Sequence, residues 1–345
     1  MIGEPVTVTR VRYTGLPRIG LLASCQREER MYDVSLAEVA FPAGSAGARV
    51  VARYRAWLGF RVETQEERPV EPARPHKVGS DDITVGEPIE LMVLACKSNA
   101  LRCRLLGSAR EVTLRTPVRD EISGSIITVT PRKQWTHARH PYLSGDVSAV
   151  RIDAAVLGLE PLSLHREDGS NGEAPSGDGA RGKRSVYRME QVISFAGGDV
   201  GSNLVREAQE CIDAGEHAEA DELLTKALAL DLRFLEAHAM VGERALRYWP
   251  SLALHHFELG VAIGSLSIEE ELEGELPWRL LDNRPFLRCL QGMARALHRL
   301  GRADAAAGAL RRLLRLDLSD PLSIRANLTA VEAGTTWQEM ERENR

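Results

Sequence analysis

The sequence contains no CxxC pair: its five cysteines, Cys25, Cys96, Cys103, Cys211 and Cys289, are odd in number and scattered along 345 residues. Such spacing gives neither a disulfide framework nor a common zinc-ligand set, so no metal is expected and the thiols read as reduced and mostly buried. No apolar run approaches the roughly 18 residues that a spanning helix needs. The opening "MIGEPVTVTRVR" lacks the charged, apolar and small-residue regions of a secretory signal. A cytoplasmic protein without membrane contact is expected. Catalytic spellings are missing as well: there is no HExxH, no GxSxG, and no cysteine with a neighbour that would activate it. One near-match, "GDGARGKR" at 177–184, sets Gly177, Gly182 and Lys183 in phosphate-loop register. It fails because Arg184 stands where a hydroxyl must hold magnesium, and because no buried strand leads into it. The expectation is a non-enzymatic protein with no cofactor.

A net charge of −5 excludes a strongly basic nucleic-acid protein overall, but the charge is uneven. Residues 199–345 hold 25 acidic against 17 basic side chains, a surplus of 8 negatives, while 90–165 hold 10 basic against 7 acidic. Composition divides the chain further. Residues 166–185 carry no large apolar side chain and are rich in Gly and Ser, which predicts a flexible linker. A second break falls at about 62–82, where prolines and charges interrupt any regular element.

The fold class expected is α+β, with a mixed, β-rich N-terminal region followed by an all-α C-terminal region. Piece 1–61 opens with the strand-like "VTVTRVRY" and contains an amphipathic helix in "SAGARVVARYRAWLGF", with Val50, Val51, Tyr54, Trp57 and Leu58 on one face. It is too small to enclose a core and is expected to dock on the next piece. Piece 83–165 reads as short strands, "IELMVLACK", "LRCRLL", "EVTLR", "SIITVTP", "DVSAVRI" and "EPLSL", and predicts a small antiparallel barrel or sandwich. Its loop 130–145 interleaves Arg132, Lys133 and Arg139 with Trp135, His137, His140 and Tyr142. Cations beside aromatic faces could stack bases and meet phosphates, so Arg132, Lys133, Trp135, Arg139 and Tyr142 form a candidate nucleic-acid loop. The competing reading is a polar hairpin whose Trp135 and Tyr142 complete the core.

Piece 199–338 repeats. "GEHAEADELLTKALALDL" from Gly215 aligns without a gap beneath "GRADAAAGALRRLLRLDL" from Gly301, pairing Ala220 with Ala306 and Leu224 with Leu310. A further helix pair lies between them, and three pairs in succession predict a stacked solenoid, with small residues where helices cross closely. This pattern resembles the tetratricopeptide superfamily. The landmarks "RMEQV", "LDLRFLEAHAMVGE", "HHFELGVAIGSLS", "LPWRLLDNRPFLRCLQG" and "AGTTWQEM" are similar to those of a group of uncharacterised bacterial tetratricopeptide proteins with an N-terminal β-rich region. The resemblance implies a fold and names no activity.

The first helix of each pair then lines a concave groove. The groove-facing positions are Arg288, Gln291, Arg295, His298 and Arg299 in the last pair, Glu236, Glu243 and Arg247 in the middle pair, and Gln209 and Asp213 in the first. A protein or peptide partner with an acidic tip is expected at the basic end. In the insertion before the last pair, Asn283 is expected to cap a helix that starts near Pro285, while Trp278 and Leu280 or Leu281 fold the insertion onto the repeats.

Overall fold

The computed structural model describes residues 7–13, 21–27, 30–36, 39, 41–42, 45, 47–48, 50–51, 83–97, 99–116, 120–167, 184–191, 200–268, 274–335 and 339. The chain divides into two units, 1–151 and 152–345. The division falls at the end of a strand and not within 166–185. Most of that expected linker, the phosphate-loop near-match up to Lys183, and the expected break at 62–82 lie outside the described residues.

In the first unit, β1 (Thr7–Tyr13), β2 (Leu21–Arg27) and β3 (Arg30–Ser35) form an antiparallel sheet in that order. Of the helix expected over 45–60, residues 47, 48, 50 and 51 are helical, and 52–60 lie outside the described residues. Val51 is buried with Ala23, Cys25, Leu36 and Val39, whereas Val50 is exposed, so the two do not share a face as expected. The piece thus has a small buried cluster of its own.

The strand-rich piece closes into a five-stranded barrel of β4 (Ile89–Lys97), β5 (Ala100–Leu105), β6 (Glu111–Arg115), β7 (Ser125–His137) and β8 (His140–Ile152), in the order β4-β5-β6-β8-β7. Alternation decides what fills it: Leu91, Val93, Leu101, Cys103, Val112, Leu114, Ile127, Val129 and Leu143 point inward and are almost wholly buried. The barrel is not purely antiparallel, because β6 and β8 run parallel with Leu114 beside Leu143. The expected loop at 130–145 is a long hairpin. Ala138 and Arg139 make its two-residue turn with φ of 48° and 66°. Left-handed backbone at both central positions is what a tight hairpin requires, and here it is met without glycine. "EPLSL" contributes only its last residue to a strand.

The second unit has seven helices among its described residues: α1 (Val200–Asp213), α2 (His217–Leu230), α3 (Leu235–Leu246), α4 (Pro250–Ser265), α5 (Arg284–Arg299), α6 (Ala303–Leu316) and α7 (Ile324–Glu332). Pairs α1/α2, α3/α4 and α5/α6 are joined by links of three residues and pack on each other as hairpins, and α7 packs on α6. Gly215 and Gly301 end α1 and α5 with φ of 80° and 77°, a conformation that favours glycine. The same two hydrogen bonds follow each: Gly215 N to Ile212 O and Glu216 N to Cys211 O, then Gly301 N to His298 O and Arg302 N to Leu297 O. Gly334 closes α7 with a third copy of the device, 33 residues after Gly301. Ala220 and Ala306 are fully buried. The Phe257 ring of α4 occupies the space that a Cβ at Gly242 of α3 or at Gly292 of α5 would need, so the two glycines make its slot.

Three short strands complete this unit. β9 (Leu164–Glu167) pairs antiparallel with β10 (Ser185–Met189), and β10 pairs parallel with β11 (Gly274–Glu275) from the insertion before α5. No helix among the described residues is long and apolar enough to cross a membrane.

Candidate binding surfaces

Asn283 stands at the N-cap position of α5, as expected, but it is fully buried and its side chain makes no capping bond to the first turn. Its Oδ1 accepts from Met189 N at 2.8 Å, and its Nδ2 donates to Tyr187 O at 2.9 Å and Pro277 O at 3.2 Å. A buried amide with three partners is satisfied and costly to remove, so Asn283 ties β10 to the start of α5. Pro285 does sit in the first turn of that helix, as its missing N–H allows. The insertion is anchored by Leu276, fully buried, whose N–H donates to Leu316 O at 2.8 Å, and by Asp317, which accepts from Trp278 N at 2.7 Å. Of the two leucines expected to fold the insertion inward, Leu280 is half-buried like Trp278, and Leu281 is 68% exposed.

Gln209 and Asp213 lie on α1, Glu236 and Glu243 on α3 with Arg247 at its C-cap, and Arg288, Gln291, Arg295, His298 and Arg299 on α5, but most of their polar groups already have partners. Arg288 reaches across to α3, pairing with Glu236 and donating Nε to Glu243 at 2.9 Å. Burial opposes its charge, yet the hydrogen bonds and negative charge of Glu243 and Glu236 outweigh that and raise its pKa. Arg299 donates to the carbonyls of Leu246 and, at 2.6 Å, Arg247, which are left open at the end of α3. His298 bonds Thr335 O at 2.9 Å, Gln209 donates to Asp213 at 2.8 Å, and Arg247 lies over the ring of its neighbour Tyr248. Gln291 and Arg295 are half-buried on α5. The basic end expected to receive an acidic tip is therefore occupied: its strongest cations hold α3 to α5.

What is open on this face is a pocket of about 510 Å³ at the N-terminal ends of the first helices. Ser202 and Val205 of α1, Phe234 and Leu235 at the start of α3, and Pro285 at the start of α5 line it, with Trp278 and Leu281 of the insertion on its rim. Residues 192–199, between its lining residues Gln191 and Ser202, lie outside the described residues. Arg284 stacks over Trp278 at 5.3 Å and donates to its carbonyl, and Arg188 pairs with Asp282 and Glu167. The charged lining residues Glu236, Asp282, Arg284 and Arg288 are thus held by internal bonds beside the apolar ones. Sequence reasoning found Glu236 and Arg288 of this pocket but missed Phe234, Leu281 and Trp278 as lining, because the insertion that carries two of them has no helical period.

Between α3 and α4 lies a buried pair, His238 and His256, with Nδ1 atoms 3.2 Å apart. Nε2 of His238 donates to Leu232 O at 3.1 Å, which leaves its Nδ1 to accept from His256. Burial pushes the His238 pKa down to about 4, against the pull of the Leu232 carbonyl.

In the barrel, the structure brings most of the expected loop together on the hairpin. Trp135 and Tyr142 stack with centroids 5.5 Å apart and planes 14° from parallel. Lys133 lies over the Trp135 ring at 5.8 Å, and His137 and His140 meet Tyr142 edge-on. Both rings are half-buried on the outside, so they do not fill the barrel core. Arg132 departs from the set, pairing with Asp146. Arg139 is exposed at the turn. Arg115, absent from the expected loop, lies over Tyr142 at 5.7 Å from the neighbouring strand β6. The only cluster of potential metal ligands among the described residues is Cys211, Glu216 and Glu219 at the end of α1, mostly exposed.

No protein-family model, no curated protein and no solved structure matches this chain.

Proposed function

We propose that the second unit is a tetratricopeptide-type array that acts as a non-enzymatic adaptor in the cytoplasm, holding a protein or peptide partner on the face of its first helices. The observation that carries this reading is the pocket itself. Three successive first helices, α1, α3 and α5, contribute to one concavity whose lining includes Val205, Phe234, Leu235, Trp278, Pro285 and the exposed Leu281. Helical repeats recognise partners through such a face because it is built from equivalent positions of consecutive units. Because Arg288 and Arg299 are already paired, the partner is an extended segment carrying a large apolar side chain and not an acidic tip. That side chain enters between Val205 and Pro285, and Leu281 closes over it. Five free thiols and a third glycine cap at the repeat spacing of about 34 residues support the compartment and the array.

Purification of the tagged protein from its native host tests the proposal. A stoichiometric partner is expected with the unaltered chain and with Leu230→Glu, an exposed position on a second helix, and it is lost with Leu281→Glu. No partner in any preparation, or one indifferent to Leu281→Glu, contradicts it.

A further inference from the structure

The outer face of the barrel carries a second surface that the groove does not use. Leu101, Cys103, Val112, Leu114 and Leu143 face the core, so their strand neighbours Arg102, Arg104, Thr113, Arg115 and Tyr142 face outward. The register sets Arg102 beside Thr113 and Thr113 beside Tyr142, a row that the Trp135 ring continues. Arg104 and Arg115 flank that row, and the acid among them, Glu111, is bound to Arg102 at 2.8 Å. Arg115, Lys133 and Arg139 form no ion pair among the described residues. Two nearly parallel rings, each with a cation over it, therefore stand on the outer face of the barrel, within a protein that is acidic overall.

We propose that this face, formed by β5, β6 and the β7–β8 hairpin, binds single-stranded nucleic acid. Phosphates meet Arg115 and Lys133, and unpaired bases stack on the Trp135 and Tyr142 rings, exchanging with the cations that lie over them. A single strand fits this chemistry better than a duplex, whose base faces are already stacked on one another. It fits better than an acidic protein segment, whose carboxylates would use the cations and leave the rings without a partner. Ala138 and Arg139 hold the tight turn that sets the hairpin's two strands, and so the two rings, side by side.

Fluorescence anisotropy of the full-length protein with a labelled 20-nucleotide oligouridylate, from low to moderate salt, reads the proposal. Binding is expected to weaken with salt at a log–log slope of about −0.7 for each phosphate neutralised. Lys133→Ala and Arg115→Ala should each flatten that slope by about 0.7. Trp135→Ala should weaken binding by about tenfold with the slope unchanged, and Trp135→Phe should restore most of it. A duplex of equal length should bind more weakly than the single strand. No binding at low salt, binding unaltered by the combined Lys133→Glu and Arg115→Glu changes, equal affinity for the duplex, or equal competition by polyglutamate each overturns the proposal. Should Trp135→Ala lower the melting temperature, the exposed Lys133 and Arg115 pair decides alone.

Discussion

In the helical unit, Arg288 lies between Glu236 and Glu243, Arg299 caps the carbonyls at the end of α3, Arg233 grips Asp231 and Arg244 grips Asp221. In the barrel, Arg115 and Lys133 stand on the outside beside aromatic rings and make no ion pair among the described residues. The same residue types thus do different work. Stacked hairpins must be tied across a face where each first helix meets the next, and a long cation reaching two carboxylates does this with strong, directional bonds. A closed barrel has no such seam, because its backbone bonds join every strand to the next. Some of its outer cations pair locally, Arg102 with Glu111, Arg132 with Asp146 and Arg151 with Glu90, and Arg115 and Lys133 stand apart from these pairs. A cation read from sequence as a contact for a partner can thus be taken up inside the fold on either unit, as Arg288 is on the helices and Arg132 is on the barrel.

The largest effect that would sharpen this contrast is expected at the helix seam. Phe257→Ala empties the slot between Gly242 and Gly292 and should cost about 3–5 kcal/mol in urea unfolding followed by helical circular dichroism. Next comes acid. The His238 pKa is lowered from 6.5 to about 4, so above pH 6.5 neither folded nor unfolded chain carries the extra proton. Below it the unfolded chain takes one up and the folded chain does not, so stability falls as pH drops from 6.5 to 4, by about 3 kcal/mol. Hydrogen exchange should show α3 and α4 losing protection over this range before the barrel strands do. Third, Arg288→Met leaves Glu236 and Glu243, two turns apart on α3, without the cation that pairs with both. With these groups partly exposed, a loss of about 1–3 kcal/mol is expected, and adding Glu236→Gln and Glu243→Gln should recover most of it. Smallest is the barrel: Lys133→Ala and Arg115→Ala should each change stability by less than about 0.5 kcal/mol. A large loss there would mean that these cations are structural too, and the contrast would fail.

Much of this architecture could be read from local pattern. The runs around Leu91, Leu101, Val112, Ile127 and Leu143 gave the barrel strands, because side chains that alternate between core and solvent leave a period of two. Gly215 and Gly301 gave two helix ends, because the left-handed cap selects glycine. The parallel β6–β8 pair and the β9-β10-β11 sheet were not legible, since pairing between distant segments writes no period, and β11 is only two residues long. Asn283 misled for a related reason. Next to a helix start its amide reads as a cap, but Tyr187, Met189 and Pro277, which it binds, are brought there by the tertiary fold. The pocket was half legible: Arg288 and Glu236 were found by counting along helices, while Trp278 and Leu281 come from an insertion that no count reaches.

Photo-crosslinking in the native host tests the groove most directly, with a benzophenone side chain placed at 281 in one strain and at 230 in another. The account predicts one abundant crosslinked partner from position 281 and none from position 230. The same products from both positions, or none from 281, would contradict it.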